Sequence, residues 1–247
     1  MSRSVVVWGC PLVVLMLLVA EGDAAVRITE FMSEGQGDTD QGNGGRRQRE
    51  FFEITNLGAA AVDVSTWSYN DNNTNDPHNF GPAIGSIAAG ESIVFTQMTA
   101  DNFRSYWGLP ASVRVFSYLQ LSNLGNADTI NIYNSFTQDA TTLVDSLTYA
   151  ADARGSGVSR NRAWDGGQTQ LPNSQWVISS VGDNFGSFLA PNATGFPPTY
   201  PNAIDYTDLA NPGRYSNVPE PGTVVLLGAA LGMLAVRRQR QREIASG

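Results

Sequence analysis

The sequence predicts an all-β fold in which short strands pack together as a β-sandwich. Between residues 25 and 217 no long segment shows the periodicity of a helix. Short apolar or alternating runs recur there, separated by residues that favour turns. Apolar residues make up 42% of the 247-residue chain, which is enough to build a core. Many short strands joined by frequent turns are typical of a sandwich.

The first two strands are predicted from alternation and from a turn signal. Residues 26–32 place apolar and polar side chains in turn and should form one strand, and residues 50–55 should form the next. The second run ends at Asn56 and Gly58, residue types that accept the left-handed backbone of a tight turn.

The segment from Val62 to Tyr69 predicts an irregular strand. Val62 and Val64 share one face, whereas Trp67 and Tyr69 have the opposite parity. A bulge or kink near Ser65 is needed if all four side chains are to point inward.

Four later runs complete the predicted sandwich, together with one short helix. The strands are expected at 92–96, 113–116, 129–133 and 143–149, with the last two joined as a hairpin, and the helix is expected at 100–107. Large apolar side chains from these runs should be buried: Ile54, Trp67, Ile93, Ile130 and Leu147.

Composition argues against several classes of function. The net charge is −8 and the pI is about 4.6, so we do not expect a nucleic-acid partner. All fifteen basic residues are arginines, which rules out a Schiff-base lysine and a P-loop lysine. Cys10 and His78 are the only residues of their types, so a Cys/His zinc site cannot be built. No spacing of carboxylates singles out a catalytic pair, and we therefore expect a protein that is not an enzyme.

The first 24 residues predict a signal peptide. Arg3 gives a positive start, residues 11–20 are almost entirely apolar, and Gly22-Asp23-Ala24 is a small-x-small cleavage site. Cleavage at this site would remove Cys10, so the mature chain would fold without disulfides in an oxidising compartment.

Residues 218–242 predict a second targeting signal. An apolar stretch at 223–236 would form a helix of about 21 Å, which is short for a hydrocarbon layer of roughly 30 Å. Three residues that keep the backbone extended precede it: Pro219, Glu220 and Pro221. Basic residues that should stay cytoplasmic follow it: Arg237, Arg238, Arg240 and Arg242.

This arrangement resembles the PEP-CTERM sorting signal of Gram-negative bacteria. The resemblance covers residues 218–242 and combines the Pro-Glu-Pro tripeptide, a short helix rich in Leu, Gly and Ala, and an arginine run. It implies that the export machinery delivers the chain to the inner membrane, that residues 223–236 hold the precursor there, and that an exosortase processes it near Pro-Glu-Pro. Because members of that family occur with exopolysaccharide gene clusters, it also implies a final place at the cell surface, in the outer envelope or in an extracellular matrix.

The middle of the chain resembles a lamin tail domain. The matching motifs are Glu53-Ile54-x-Asn56-x-Gly58, Val62-Asp63-Val64-Ser65-x-Trp67, Asp128-x-Ile130-x-Ile132 and Asn211-Pro212-Gly213-Arg214. The resemblance implies an immunoglobulin-like β-sandwich over residues 25–217. The chain departs from the family pattern in carrying long inserts at 33–49 and 181–210.

Two polar loops are candidate calcium sites. Asp38 and Asp40 lie in the first loop, and Asp71 and Asp76 lie in the second. Oxygen-rich loops of this kind bind hard cations, and Ca²⁺ is therefore the candidate cofactor. The spacing in the first loop misses that of an EF-hand. The alternative is a pair of solvated loops whose Asx residues form turns.

Together these features predict an exported protein whose β-sandwich is a non-catalytic binding or structural module. Its partners would be the exosortase and extracellular polysaccharide or other surface proteins, and the run Arg46-Arg47-x-Arg49 suits an acidic polysaccharide better than DNA. Two alternatives stay open. One is a secreted metal-dependent hydrolase of polysaccharide or phosphodiester bonds, because lamin tail domains are often found beside such enzymes. The other is a calcium-stabilised adhesin. A pocket with convergent carboxylates would favour the hydrolase.

Overall fold

The structure is a computed structural model that describes residues 26–33, 49–71, 77–117, 124, 127–150, 157–163, 176–192 and 208–216. Strands dominate these residues, and one short helix accompanies them, so the predicted all-β class is confirmed. The strands are β1 Val26–Met32, β2 Phe51–Asn56, β3 Val62–Asp63, β4 Ser68–Asn70, β5 His78–Asn79, β6 Ser86–Ile87, β7 Ser92–Thr96, β8 Arg114–Ser117, β9 Asp128–Tyr133, β10 Leu143–Tyr149, β11 Arg160–Arg162, β12 Trp176–Ile178, β13 Phe188–Leu189 and β14 Leu209–Ala210; the helix is α1 Ala100–Trp107.

Two sheets form the sandwich. The larger has six strands in the order β12-β11-β1-β2-β7-β8, and the smaller has four in the order β10-β9-β4-β5. Their strand pairs are antiparallel except for β7 with β8, which are parallel because α1 lies between them in the chain. Two further pairs, β3 with β6 and β13 with β14, lie outside these sheets.

The main core lies between the two sheets. The five side chains that the sequence placed in the core are all buried there, and Trp67 is the most exposed of them at 4%. Aromatic rings connect the layers: Phe52 of the larger sheet packs edge-on against Tyr69 of the smaller one, with 5.1 Å between ring centroids.

The outer face of the six-stranded sheet is covered as well, because α1 packs against it. A second apolar cluster joins Phe51 and Val94 of the sheet to Phe103 and Trp107 of the helix. Both faces of the central strands are therefore buried, and every residue of β1, β2 and β7 is buried.

Helix α1 has the predicted bounds and a regular cap at each end. The side chain of Thr99 accepts a hydrogen bond from the N–H of Asn102, which satisfies one of the free amides of the first turn. Gly108 ends the helix with φ 63°, a left-handed conformation that glycine adopts without strain.

The predicted irregularity near Ser65 takes the form of a tight turn. The N–H of Trp67 donates to the carbonyl of Val64 at 3.0 Å, so β3 ends before the turn and β4 begins after it. Both Val64 and Trp67 are buried, as the parity argument requires.

The turn after β2 differs from the prediction. Gly58 does not have the left-handed backbone expected of it. The Asn56 side chain holds the turn instead: its Oδ1 accepts from the N–H of Gly58 at 3.0 Å, and its Nδ2 donates to the carbonyls of Ala60 at 2.7 Å and Ile87 at 2.9 Å. An Asx turn of this kind needs no positive φ at the glycine.

The two predicted targeting signals lie outside the described residues. These are the signal peptide at 1–24 and the segment at 218–242 with its helix at 223–236. Within the part of the chain that the structure describes, no helix is both long enough and apolar enough to cross a membrane.

Candidate functional site

A row of polar side chains, called the acidic row below, crosses the outer face of the six-stranded sheet. Glu30 of β1 is paired with Asn161 of β11 on one side and with Glu53 of β2 on the other. Side chains paired in this way point to the same face, and all three are fully buried. A β-bulge between Ile28 and Glu30 shifts the register of β1. The bulge turns Glu30 away from the main core, to which Ile28 belongs.

Residues 208–216, called the strap below, lie over this row. The N–H of Asn211 donates to Glu30 Oε1 at 2.9 Å, and the N–H of Gly213 donates to Glu53 Oε2 at 2.7 Å. Gly213 has φ 89°, and a Cβ atom there would lie 2.6 Å from Cγ1 of Val113. Glycine is therefore needed for both the conformation and the close approach of the strap.

Hydroxyl groups of the sheet supply further donors to the two carboxyl groups. Glu53 Oε1 accepts from the hydroxyls of Thr29 at 2.9 Å and Thr55 at 3.3 Å. Glu30 Oε1 accepts from the hydroxyl of Ser159 at 2.5 Å. Backbone and hydroxyl donors thus hold both carboxyl groups in place.

Burial shifts the protonation of both acids toward the neutral form. Loss of solvation raises the pKa of Glu53 to about 7, although hydrogen bonds such as that from Thr29 oppose the shift. The same loss of solvation raises the pKa of Glu30 well above its ordinary range, and the negative charges of Glu53 and Asp183 add to the effect. The hydrogen bond from Ser159 opposes it.

A second buried cluster anchors the start of the strap. Asp208 Oδ2 accepts from the hydroxyl of Tyr106 at 2.7 Å and lies 3.3 Å from Nη1 of Arg49. Tyr106 belongs to α1 and Arg49 leads into β2, so the cluster joins the helix, the sheet and the strap. Burial, with the charge of Asp208 beside it, raises the pKa of the Tyr106 hydroxyl.

A third buried cluster joins the two sheets. Asp145 Oδ2 of β10 lies 2.8 Å from Nη1 of Arg162 of β11 and accepts from the N–H of Ile28 at 2.8 Å. The hydroxyl of Tyr215, on the strap, donates to the carbonyl of Arg162 at 2.8 Å. The strap is therefore tied to this pair as well as to the acidic row.

The acidic row brings two carboxyl groups together, but both are shielded from solvent. Adjacent carboxyl groups with displaced pKa values are the arrangement that glycosidases and related enzymes use as acid and base. Glu30 and Glu53 are both 0% exposed. A general acid or base has to come within hydrogen-bond distance of its substrate, and with the strap in place no substrate reaches either group.

The predicted site residues are only partly within the described residues. Asp71 directly follows β4 and is buried, with 8% of its surface exposed. In the described ranges no group of three or more His, Cys, Asp or Glu side chains is arranged to hold a metal ion. The remaining predicted residues lie outside the described residues: Asp38, Asp40, Asp76, Pro219, Glu220, Pro221, Arg237, Arg238, Arg240 and Arg242.

The calcium site stays a prediction with a direct test. If Asp71 shares an ion with the three other aspartates of the two loops, millimolar Ca²⁺ should raise the melting temperature of the full-length chain. An ion at 100 times its dissociation constant stabilises by about 2.7 kcal/mol, or roughly 5–10 °C for a domain of this size. Asp71→Asn should reduce the shift, and Asp101→Asn, on the exposed face of α1, should not. An unchanged melting curve would leave the loops as Asx turns.

Two other polar residues of the sequence have structural partners. Arg49 is 6% exposed and contacts Asp208, so it does not belong to a solvent-facing basic run. Arg46 and Arg47 lie outside the described residues. His78 lies in β5 and stacks on Tyr69 of β4, with 4.8 Å between ring centroids.

Sequence reasoning missed the acidic row as a site. One signal was available: Glu53 lies inside an apolar run and Glu30 interrupts the alternation of residues 26–32, and a strand buried on both faces must bury its acids too. Nothing in the sequence indicated that Asn161, Ser159 and Asn211 would join them, because those residues are more than 100 positions away from Glu30.

Comparison with known families decides the identity of the β-sandwich. A family model of the Lamin Tail Domain matches residues 20–151, just over half of the 247 residues. The chain belongs to the lamin tail domain family. A model of the PEP-CTERM protein-sorting motif matches residues 217–241, and the suspected resemblance is confirmed in both parts.

This lamin tail domain protein is thus an exported protein with an immunoglobulin-like β-sandwich and a C-terminal exosortase signal. The PEP-CTERM signal makes it a substrate of an exosortase and its precursor a membrane-associated protein of a Gram-negative bacterium. Lamin tail domains and PEP-CTERM motifs are families of non-enzymatic domains and signals. Strands β11 and β12 and the strap follow residue 151, yet β11 and β12 complete the same sheet as β1.

The chain is similar to a crystal structure of a DUF4876 family protein from Bacteroides thetaiotaomicron, with 10% identity, a TM-score of 0.40, and coverage of 64% of this chain and 68% of the other. No curated protein matches the chain.

Proposed function

We propose that the mature lamin tail domain protein is a non-catalytic binding or structural module at the cell surface, in the outer envelope or in the extracellular matrix. The observation that carries this proposal is the state of the acidic row. Glu30 and Glu53 are neighbouring carboxyl groups of the kind that acid–base chemistry uses, and both are buried under the strap.

The bonds around the row support a structural role for the acids. Each carboxyl group already accepts from a backbone N–H of the strap and from a hydroxyl of the sheet. A catalytic carboxyl group needs a free lone pair and an open approach. In this protein the acids fasten the C-terminal segment to the sheet, which suits a stable module that is displayed outside the cell.

The sorting signal places this module in an export route. The inner membrane would hold the precursor transiently through residues 223–236, and exosortase processing near Pro-Glu-Pro would release it. An extracellular polysaccharide or another surface protein is the partner class that this destination favours. No nucleic-acid partner is proposed, because a chain with a net charge of −8 repels a polyanion.

The proposal predicts that the full-length protein has no hydrolase activity. Chromogenic glycosides and phosphodiesters should show no turnover above buffer, with or without millimolar Ca²⁺, Mg²⁺ or Mn²⁺. Glu53→Gln provides the matched control, since it removes the acid whose pKa lies nearest neutrality and should leave the background rate unchanged. Metal-dependent turnover that disappears in Glu53→Gln or Asp71→Asn would contradict the proposal and support the secreted hydrolase.

A further inference from the structure

Four polar side chains next to the strap form an incomplete ring of hydrogen bonds. Asn161 Nδ2 donates to Ser179 Oγ at 2.9 Å, the hydroxyls of Ser179 and Ser159 are 2.7 Å apart, and Ser159 donates to Glu30 Oε1 at 2.5 Å. Because Ser159 uses its one hydroxyl proton in the hydrogen bond to Glu30, the proton between the two serines must come from Ser179. The donors therefore all run in one direction, from Asn161 to Glu30.

The two ends of this series are both acceptors without a partner. Glu30 Oε2 and Asn161 Oδ1 are buried and accept no hydrogen bond from any protein group. Glu30 and Asn161 are directly paired across β1 and β11, which places their Cβ atoms about 4.5–5.5 Å apart. Two buried oxygen acceptors on paired residues, each without a donor, would each lose their solvation without compensation.

We infer that Glu30 carries a proton on Oε2 and donates it to Asn161 Oδ1, which closes the ring. The closed ring has four contacts, and the two serines and the Asn161 amide supply three protons. The fourth proton has to come from Glu30. The opposite orientation of the Asn161 amide reverses the series and places that proton on Oε1, toward Ser159, but it requires the same neutral Glu30. A ring in which every donor runs the same way is also favoured by mutual polarisation of its bonds.

The charges around Glu30 agree with a neutral acid. Glu53 is paired with it from β2 and Asp183 lies in the turn before β13, and a negative charge on either group disfavours a charge on Glu30. On the strap, Asp208 contacts Arg49, and the guanidinium of Arg214 donates to the carbonyl of Gly186. Asn161 and Ser159 bring no charge from the β11 side. The strap is therefore fastened at Asn211 to an uncharged carboxyl group.

The sign of the pH effect follows from the raised pKa of Glu30. Folding retains a proton that the unfolded chain loses near pH 4.5, the ordinary value. The stability that this group supplies is complete below pH 4.5 and is lost as the pH rises. Glu53 acts in the same direction, but its contribution stops changing above about pH 7, the raised pKa of its carboxyl group.

Glu30→Gln tests the proton directly, because glutamine presents a permanent donor where the ring requires one. Near pH 4.5 we expect the full-length variant to match the parent in thermal and denaturant unfolding. Above that pH it should gain stability over the parent, by about tenfold in the unfolding constant per pH unit. Glu91→Gln, which removes a carboxyl group paired with Arg114 outside the ring, should show no such gain.

Infrared spectroscopy of the folded protein gives a second readout that does not depend on stability. At pH 8, above the pKa of about 7 of Glu53, the spectrum should contain the carbonyl band of a protonated carboxyl group, which Glu30→Gln removes and Glu91→Gln retains. Absence of the band, or its persistence in Glu30→Gln, would overturn the assignment. A fall in melting temperature on addition of a chelator that Glu30→Gln abolishes and Asp71→Asn retains would also overturn it, since a cation would then fill the gap between Glu30 and Asn161.

Discussion

Asp145→Ala should be among the most destabilising single substitutions in the described part of the chain. The Asp145 carboxylate and the Arg162 guanidinium are 0% and 1% exposed, and their atoms lie 2.8 Å apart. Removing the aspartate leaves a buried guanidinium without its charge partner and the N–H of Ile28 without its acceptor. Loss of one member of a buried ion pair costs about 3–5 kcal/mol, so the melting temperature should fall by roughly 6–20 °C.

Two further variants distinguish the net stability that the ion pair provides from the cost of leaving one of its charges buried and unpaired. Asp145→Leu combined with Arg162→Met removes both charges, and we expect this double variant to be more stable than Asp145→Ala, because no unpaired charge stays buried. Asp101→Ala breaks an exposed pair with Arg104 on α1 and should leave the melting temperature nearly unchanged. If Asp145→Ala melted like Asp101→Ala, the pair would not be what joins the two sheets.

The sorting signal should show the other large effect, which is a change of destination. Pro219 and Pro221 lack amide hydrogens and fix φ, so the helix cannot extend back through them. Replacing both with alanine should leave the chain in the inner membrane and unprocessed. Each arginine after the helix costs roughly 2.5–3.5 kcal/mol at the bilayer centre. Replacing them with serine should release the chain uncut; these residues are Arg237, Arg238, Arg240 and Arg242.

Cell fractionation with mass spectrometry of both termini distinguishes these outcomes. The parent should begin at Ala25 and end near Pro-Glu-Pro, outside the inner membrane. Pro82→Ala with Pro110→Ala is the matched control, because both prolines are exposed in the β-sandwich and the double variant should be processed like the parent. If both signal variants were processed and located like the parent, residues 218–242 would not act as the sorting signal of this protein.

Local patterns predicted most of the sandwich because they depend on neighbouring residues. The alternation of 129–133 and 143–149 predicted the β9–β10 hairpin, and helix α1 has its predicted bounds of 100–107. The parity change between Val64 and Trp67 predicted a kink, and the tight turn there satisfies it. In each case the strand period or the local turn chemistry was enough.

The bulge in β1 shows where local reasoning stops. Strict alternation would place Glu30 on the same face as Ile28, in the main core. The register shift between these residues turns Glu30 to the outer face, where Glu53, Asn161 and the strap surround it. A bulge depends on what the partner strands and the covering segment can satisfy, and these lie far away in the chain.

The sequence by itself determined the all-β class, the family, the export route and the sorting signal, because each depends on short-range patterns: strand alternation, turn residues, Pro-Glu-Pro and an arginine run. Only the tertiary structure decided which acids are buried, what fastens the strap, and that Arg49 contacts Asp208. Burial raises the pKa of Glu53 to about 7, and burial is produced by the chain as a whole. A carboxyl group has the same formula in a loop and under a strap, and its chemistry depends on the groups that fold around it.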